Sequence, residues 1–285
     1  MEAYEAARLF INKELVAEGP RRRGNPGYPR LVAVRTLVFY VLKGLENDTR
    51  LVAHLEKHPH IVGALGLNRI PHRTTIGRWW RGLQDPLLDA FEALSALIRV
   101  LAPIEVLVVD STPLEDEGDS EARWGFYSKG FFRGFKVHVS VDQRGLPLHV
   151  EVTPGNRYDG PFLPRLIRGF TAEYVVGDAA YDSKANYRVV RRIGAEAAIA
   201  VNPRNAGRPR RTRHKEVLKG FRYLVEQLFS LLKGPLLNHG WGRVHGLAKK
   251  ASLVYAALTA LLIRALEALL KGEDRLLRKV STYWG

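Results

Sequence analysis

Residues 105–112 read EVLVVDST, and this run decides the fold. Val106, Leu107, Val108 and Val109 make an apolar run that is too short for a helix and is rich in β-branched side chains. It reads as a buried strand with Asp110 at its C-terminal tip. Residues 173–182, EYVVGDAAYD, repeat the arrangement: a short run at 174–176, then Gly177, then Asp178. One aspartate after a strand is most often a turn or cap residue. Two strands that deliver an acid at the same end can hold a divalent cation, because Mg²⁺ takes carboxylate oxygens in a rigid octahedral shell completed by water and phosphate.

The segments around these two strands supply the rest of a sheet. Residues 134–141 (GFKVHVSV) and 146–153 (LPLHVEVT) alternate apolar and polar, and 142–145 joins them as a hairpin turn. Asp159 is placed to cap a helix over 161–170. After the 174–176 strand come a helix over 183–193, capped by Asp182, a strand over 197–201 and a helix over 217–233. Three antiparallel strands followed by alternating helices and strands is the order of a ribonuclease-H-like α/β fold with a mixed five-stranded sheet. That fold sets the ends of its first and fourth strands side by side, where Asp110 and Asp178 fall. In the last helix, residues 221–233 read FRYLVEQLFSLLK. At about 100° per residue Phe221, Leu224, Leu228, Leu231 and Leu232 share one face. Arg222, Glu226 and Lys233 lie in a narrow arc opposite, with Lys219 just beyond it. Alone, this polar arc would be a solvated face with an ordinary Arg222–Glu226 pair. Beside two strand-end acids, it can supply a third.

The order Asp110, Asp178, Glu226 resembles the acidic triad of DDE transposases of insertion-sequence type. The segment around Glu226 is similar to the Y-x2-R-x3-E-x6-K signature of one subgroup. Arg222, Glu226 and Lys233 stand at its R, E and K, while Lys219 stands where that signature has Tyr. Upstream, His54–Leu55, His58–Pro59, Leu65–Leu67 and Pro71–Thr75 match a stretch common in the same family, and Lys136 and His138 match its G-x-K-x-H strand. The resemblance implies two Mg²⁺ (or Mn²⁺) ions held by Asp110, Asp178 and Glu226, with Asp110 bridging them. It also implies strand cleavage by an activated water, strand transfer by a 3′-OH, and phosphate contacts from Arg222 and Lys233.

The whole chain suits a polyanionic partner. It has 285 residues, of which 46% are hydrophobic and 26% charged, and a net charge of +15; the pI is about 10.1. Such a balance is unusual for a small-molecule enzyme and expected of a protein that meets nucleic acid. There are no cysteines, which excludes disulfides, thiol nucleophiles and thiolate metal sites. No P-loop and no G-x-S-x-G is present, and the histidines make no zinc spacing. The longest apolar stretch, 251–270, is interrupted by Arg264 and Glu267 and reads as a buried helix rather than a span. With no signal peptide in the first 18 residues, a cytoplasmic, nucleoid-associated protein is expected.

The N-terminal third is helical in pattern, with helices at 2–16, 31–45, 49–57 and 86–101. Residues 68–83, NRIPHRTTIGRWWRGL, outline a helix-turn-helix, with Thr74 as cap and Arg78 and Arg81 facing DNA, or else a core helix anchored by Trp79 and Trp80. Residues 115–121 read as an acidic loop near the DNA path. Residues 202–219 form a basic, Gly/Pro-broken loop whose Arg210, Arg211 and Arg213 can track phosphates. The expected organisation is a helical DNA-binding region (1–100), the catalytic domain (101–235) and a helical extension (236–285). The expected function is a transposase acting on double-stranded element ends and target, as a homodimer in the DNA complex. Two alternatives stand beside it: an inactive DNA-binding remnant, and a metal-dependent nuclease of the same fold without strand transfer.

Overall fold

The computed structural model describes residues 1–18, 27–127, 130–205, 211–237 and 240–283. Two compact units divide the chain: residues 1–98 with 232–285, and residues 99–231.

The first unit opens with six helices: α1 (Ala3–Phe10), α2 (Arg30–Leu42), α3 (Asp48–Lys57), α4 (Pro59–Leu65), α5 (Arg73–Gly82) and α6 (Gln84–Leu101), whose last turn enters the second unit. Helix α2 is apolar all round, so it has no solvent face, and ten of its residues are buried. The side chain of Asn47 accepts the Arg50 N–H at the start of α3. At α5 His72 accepts the Thr74 N–H, so Thr74 lies inside the helix. Trp80 is the core anchor: it is buried, its indole N–H donates to Asp48 at 3.0 Å, and its ring meets Tyr40 edge-on. Trp79 is half-buried and packs edge-on against Tyr28. Arg78 and Arg81 are exposed.

The second unit carries a six-stranded sheet: β1 (Val106–Glu115), β2 (Arg123–Tyr127), β3 (Gly130–Val141), β4 (Pro147–Pro154), β5 (Tyr174–Gly177) and β6 (Glu196–Ile199). Its order is β2-β3-β1-β5-β6, with β4 paired to the other half of β3. Without β2, the order β4-β3-β1-β5-β6 is that of a ribonuclease-H-like sheet: three antiparallel strands, then two parallel to the first. The sixth strand, β2, was not legible in the sequence. Its short turn from β1 is tied down: Arg133 donates to the Glu117 carbonyl, and Asp119 is buried and accepts the Glu121 N–H.

Helices cover both faces. Leu107 and Val109 of β1 pack with α7 (Leu163–Leu166) and α8 (Lys184–Arg192). The expected helix over 161–170 shrinks to a 3-10 turn and the single turn of α7. Ser183, not Asp182, caps α8; Asp182 instead accepts from the Tyr187 hydroxyl and the Asn202 N–H, tying two loops together. Helices α9 (Lys215–Phe221) and α10 (Tyr223–Leu231) lie on the sheet, α9 against β5 and β6 and α10 against β1 and β3. By strand alternation they occupy the face opposite α7 and α8, the face to which Val108 and Asp110 point. The buried side of α10 is Leu224, Val225, Leu228 and Phe229.

The chain then returns to the first unit. Residues 232–236 wind as a π-helix, and α11 (Leu247–Lys271) packs against α1, α2 and α5. Helix α11, read from sequence as part of an extension, is thus part of the first unit's core. Helix α11 is long and apolar enough to cross a membrane, yet 89% of its most apolar window is buried in the protein. Its two interrupting charges face each other: Arg264 meets Glu267 at 3.0 Å with both side chains buried. Burial alone would raise the Glu267 carboxyl; Lys271, Tyr283 and Arg264 overcome it and hold the group below its ordinary value. Glu267→Ala takes from the buried Arg264 guanidinium its close carboxylate and leaves it the Tyr283 hydroxyl and Glu273 at 3.8 Å. The expected loss in urea unfolding is about 3 kcal/mol near neutral pH. Because the native pKa is depressed, the wild-type advantage is lost as pH falls below about 4.5, through the native value.

Candidate active site

The site begins with strand register. Strands β1 and β5 are parallel, and their pairing ends at Val109 opposite Gly177. The next residue on each is Asp110 and Asp178, so the two carboxyl groups stand on adjacent strands where the parallel ladder stops. Asp110 is not at a strand tip: β1 continues to Glu115, held by β3 alone. The four-residue β5 ends early, and this opens the side of β1 that Asp110 borders. Asp178 then caps a 3-10 turn by accepting the Ala180 N–H at 2.9 Å.

A third carboxylate joins the pair, and the sequence reading assigned it to a helix cap. Asp159 caps nothing with its side chain. It accepts from the Ser111 hydroxyl at 2.8 Å and from Lys136 Nζ at 3.0 Å, and its Oδ1 lies 3.5 Å from His138 Nδ1. Strand β4 runs parallel in direction to β1, two strands away, so the loop after it returns at the same end of the sheet. That topology was available from the hairpin pattern and would have singled out Asp159. The same loop fixes Lys136, whose ammonium also donates to the Arg157 carbonyl. His138 is fully buried, stacks on Phe162 with ring centroids 4.0 Å apart, and bonds Thr153 through Nε2. Its burial outweighs the pull of Asp159 and lowers its pKa to about 4, so the ring is neutral at pH 7.

The electrostatics of the group are those of half-buried acids near one another. Burial, then the Asp178 charge, raises Asp110 to about 7, although the Ser111 N–H and Arg222 oppose the rise. Burial also raises Asp178, against the Ala180 N–H and Arg222. Tyr181 lies in the same field: its hydroxyl is fully buried, has no hydrogen-bond partner, and is pushed well above its ordinary value by burial and by Asp110, Asp159 and Asp178. Two half-buried aspartates raised by burial and by neighbouring carboxylates, with an unpartnered hydroxyl in the same field, are oxygen ligands of the kind a hard divalent cation takes.

The remaining candidates fall in several places. Arg222, between α9 and α10, is close enough to lower both aspartates. Glu226 is on the first turn of α10, over the sheet face of Asp110; its side chain is 61% exposed and pairs with Arg222 at 3.7 Å. Arg222 is therefore the link between Glu226 and the aspartates. Lys233 lies in the π winding that follows α10 and belongs to the first unit. Lys219 is exposed on α9. Arg211 and Arg213 line a cleft of about 510 Å³ with Lys184, Arg188 and Arg191 of α8, at the β6 edge. Arg210 lies outside the described residues.

The sheet is ribonuclease-H-like and carries paired aspartates at the end of its central parallel ladder. Residues 101–263 match the family described as Transposase DDE domain, and residues 5–82 match the Transposase domain (DUF772). The chain belongs to the DDE transposase family. It is 37% identical over 76 residues to a Brucella ovis protein described as a candidate transposase for insertion sequence element IS6501; the match covers 26% of this chain and 58% of that relative. A solved piggyBac transposase synaptic complex with hairpin DNA aligns over 99% of this chain and 81% of that one, at TM-score 0.48 and 10% identity.

Proposed function

We propose that the chain cleaves DNA at the ends of an insertion sequence and joins them to target DNA, with Asp110, Asp178 and Glu226 as the ligand set for divalent metal. The observation that carries the reading is the Val109–Gly177 register, which sets Asp110 and Asp178 on neighbouring strands in a half-buried acidic site. Bound there, Mg²⁺ or Mn²⁺ would supply an activated water and stabilise the leaving 3′ oxygen. The chain's own residues do the rest. Asp159, tied to Lys136 and Ser111, adds to the negative field and fixes the loop that walls the site. Arg222 is placed to exchange its carboxylate neighbours for a DNA phosphate, by a planar fork that Lys could not reproduce. Glu226 comes free of its ion pair when Arg222 does so. The net charge of +15 and the exposed Arg78, Arg81, Arg211, Arg213 and Lys219 supply affinity for duplex DNA. Two copies are expected to synapse the two element ends.

The test uses the purified chain with a duplex carrying the inverted repeat that flanks its gene, in Mg²⁺, Mn²⁺ and EDTA. Cleavage and joining that EDTA abolishes are expected. Cleavage without joining identifies a nuclease, and binding without either identifies an inactive remnant. Arg222→Ala should lower the slope of log K against log salt by about one unit, if it contacts one phosphate. An unchanged slope would leave Arg222 as a partner of Glu226 only.

A further inference from the structure

The β2–β3 hairpin shows its aromatic residues to solvent. In its register Trp124 faces Arg133 and Phe126 faces Phe131, while Phe132 turns inward and is buried. Trp124 is 62% exposed, Phe126 61% and Phe131 79%, and Tyr158 on the Asp159 loop is 62% exposed. Phe126 and Phe131 meet edge-on, with centroids 5.3 Å apart. These rings line one cleft of about 570 Å³ whose inner wall is Lys136, Asp159 and Asp178. The hairpin is held there by backbone contact. A Cβ on Gly125 would stand 2.1 Å from the Gly155 carbonyl oxygen, and one on Gly155 would stand 2.6 Å from that of Arg123. Only glycine at both positions lets the hairpin close on the Asp159 loop, so the rings keep a fixed distance from the acids.

We propose that Trp124, Phe126, Phe131 and Tyr158 form a stacking platform for unpaired bases of the DNA strand whose backbone enters the acidic site. The platform rests on the reading of that site as a DNA-cleaving centre and names the form of DNA it takes. Among the described residues from 123 to 231, every large apolar side chain that is exposed is aromatic, the fifth being Tyr223. A protein-binding surface of this size would mix in aliphatic groups; flat rings alone suit the π-faces of bases, which stack whatever their sequence. Bases inside a duplex already have both faces covered, so the platform selects strands that are melted or flipped. Arg157, on the cleft wall beside Tyr158, supplies charge for the backbone.

The experiment measures binding of the full chain in EDTA, where cleavage plays no part. The probes are an oligothymidylate of about 20 nucleotides and a mixed-sequence duplex of about the same length. Replacing the rings by apolar side chains without π-faces, Trp124→Leu with Phe126→Leu and Phe131→Leu, should raise the Kd for the oligothymidylate about tenfold or more. The Kd for the duplex should change by less than about threefold. Equal losses on both probes, or no loss on either, overturn the platform. So does a variant that keeps its oligothymidylate affinity while a wild-type dimer becomes monomeric in sedimentation, since the rings would then join two copies. If the triple variant does not fold, the single Trp124→Leu decides: oligothymidylate should quench wild-type tryptophan fluorescence and the variant's much less, and equal quenching overturns the proposal. Failure of the catalytic reading would show as absent cleavage in Mg²⁺; failure of the platform would show as insensitivity of single-strand binding.

Discussion

Asp110→Asn is expected to lose metal-dependent cleavage by about a thousandfold or more, and to make the metal-free protein more stable. Both follow from one placement. In the fold Asp110 is pushed from 3.8 to about 7 by burial and by Asp178. A carboxyl with a raised native pKa holds a proton that the unfolded chain releases. Its contribution is therefore lost as pH rises from about 3.8 to about 7, and above 7 the folded protein carries the full penalty of an ionised, crowded acid. At about 1.4 kcal/mol per unit, reduced for water that reaches the site, the penalty is between about 2 and 4 kcal/mol. Asparagine keeps the shape and removes the charge. Urea unfolding at pH 8 in EDTA should show the gain, and the same measurement near pH 4 should show little of it. Added Mg²⁺ should stabilise the wild type and not the variant. A wild type and a variant of equal stability at pH 8 would mean that Asp110 is solvated and that the acidic pair is no metal site.

What was legible from sequence and what was not divides along physical lines. The runs that lead into Asp110 and Asp178, Val106–Val109 and Tyr174–Gly177, are apolar, rich in valine and largely buried, so periodicity and composition agree on them. Leu224 and Leu228 were readable on α10 for a similar reason: a stripe of large apolar residues has to meet a core. Strand β2 escaped because its outward side chains are aromatic and its inward residue is Gly125, which inverts the usual alternation. Asp159 escaped because its partners, Ser111 and Lys136, are 48 and 23 residues away along the chain. Its neighbours instead favour a cap: it stands before Gly160 and Pro161, a turn-forming pair. The π winding from Leu232 could not be read, because periodicity assumes a constant 100° advance. The partner of the last helix could not be read at all, because an apolar helix specifies burial and not against what.

Lys136→Met should cost about 3 kcal/mol of stability near neutral pH, more than any exposed lysine of this basic chain. Lys136 extends from the centre of β3 with its side chain 6% exposed, and Asp159 faces it at 20%. Such a pair is desolvated on both sides, so the cost of losing one partner is mostly that of the charge left behind. Without the ammonium, Asp159 keeps the Ser111 hydroxyl and a neutral His138, and it stands in the field of Asp110 and Asp178. Asp159→Asn should cost a similar amount for the converse reason: the ammonium keeps only the Arg157 carbonyl and an amide oxygen. The double variant should then cost clearly less than the two singles together, with a coupling of about 2 kcal/mol in a double-mutant cycle. Costs that simply add would show that water screens the pair and that the loop is held by Ser111 alone. The coupling also bears on chemistry. Removing the Lys136 charge leaves three acids with Arg222 as their nearby cation, so Lys136→Met should hold a divalent ion more tightly than the wild type while folding less stably without it. A stability deficit in EDTA that Mg²⁺ closes is therefore the expected sign that Lys136 balances the acidic site, whereas a deficit equal in EDTA and in Mg²⁺ would make it a packing residue of β3.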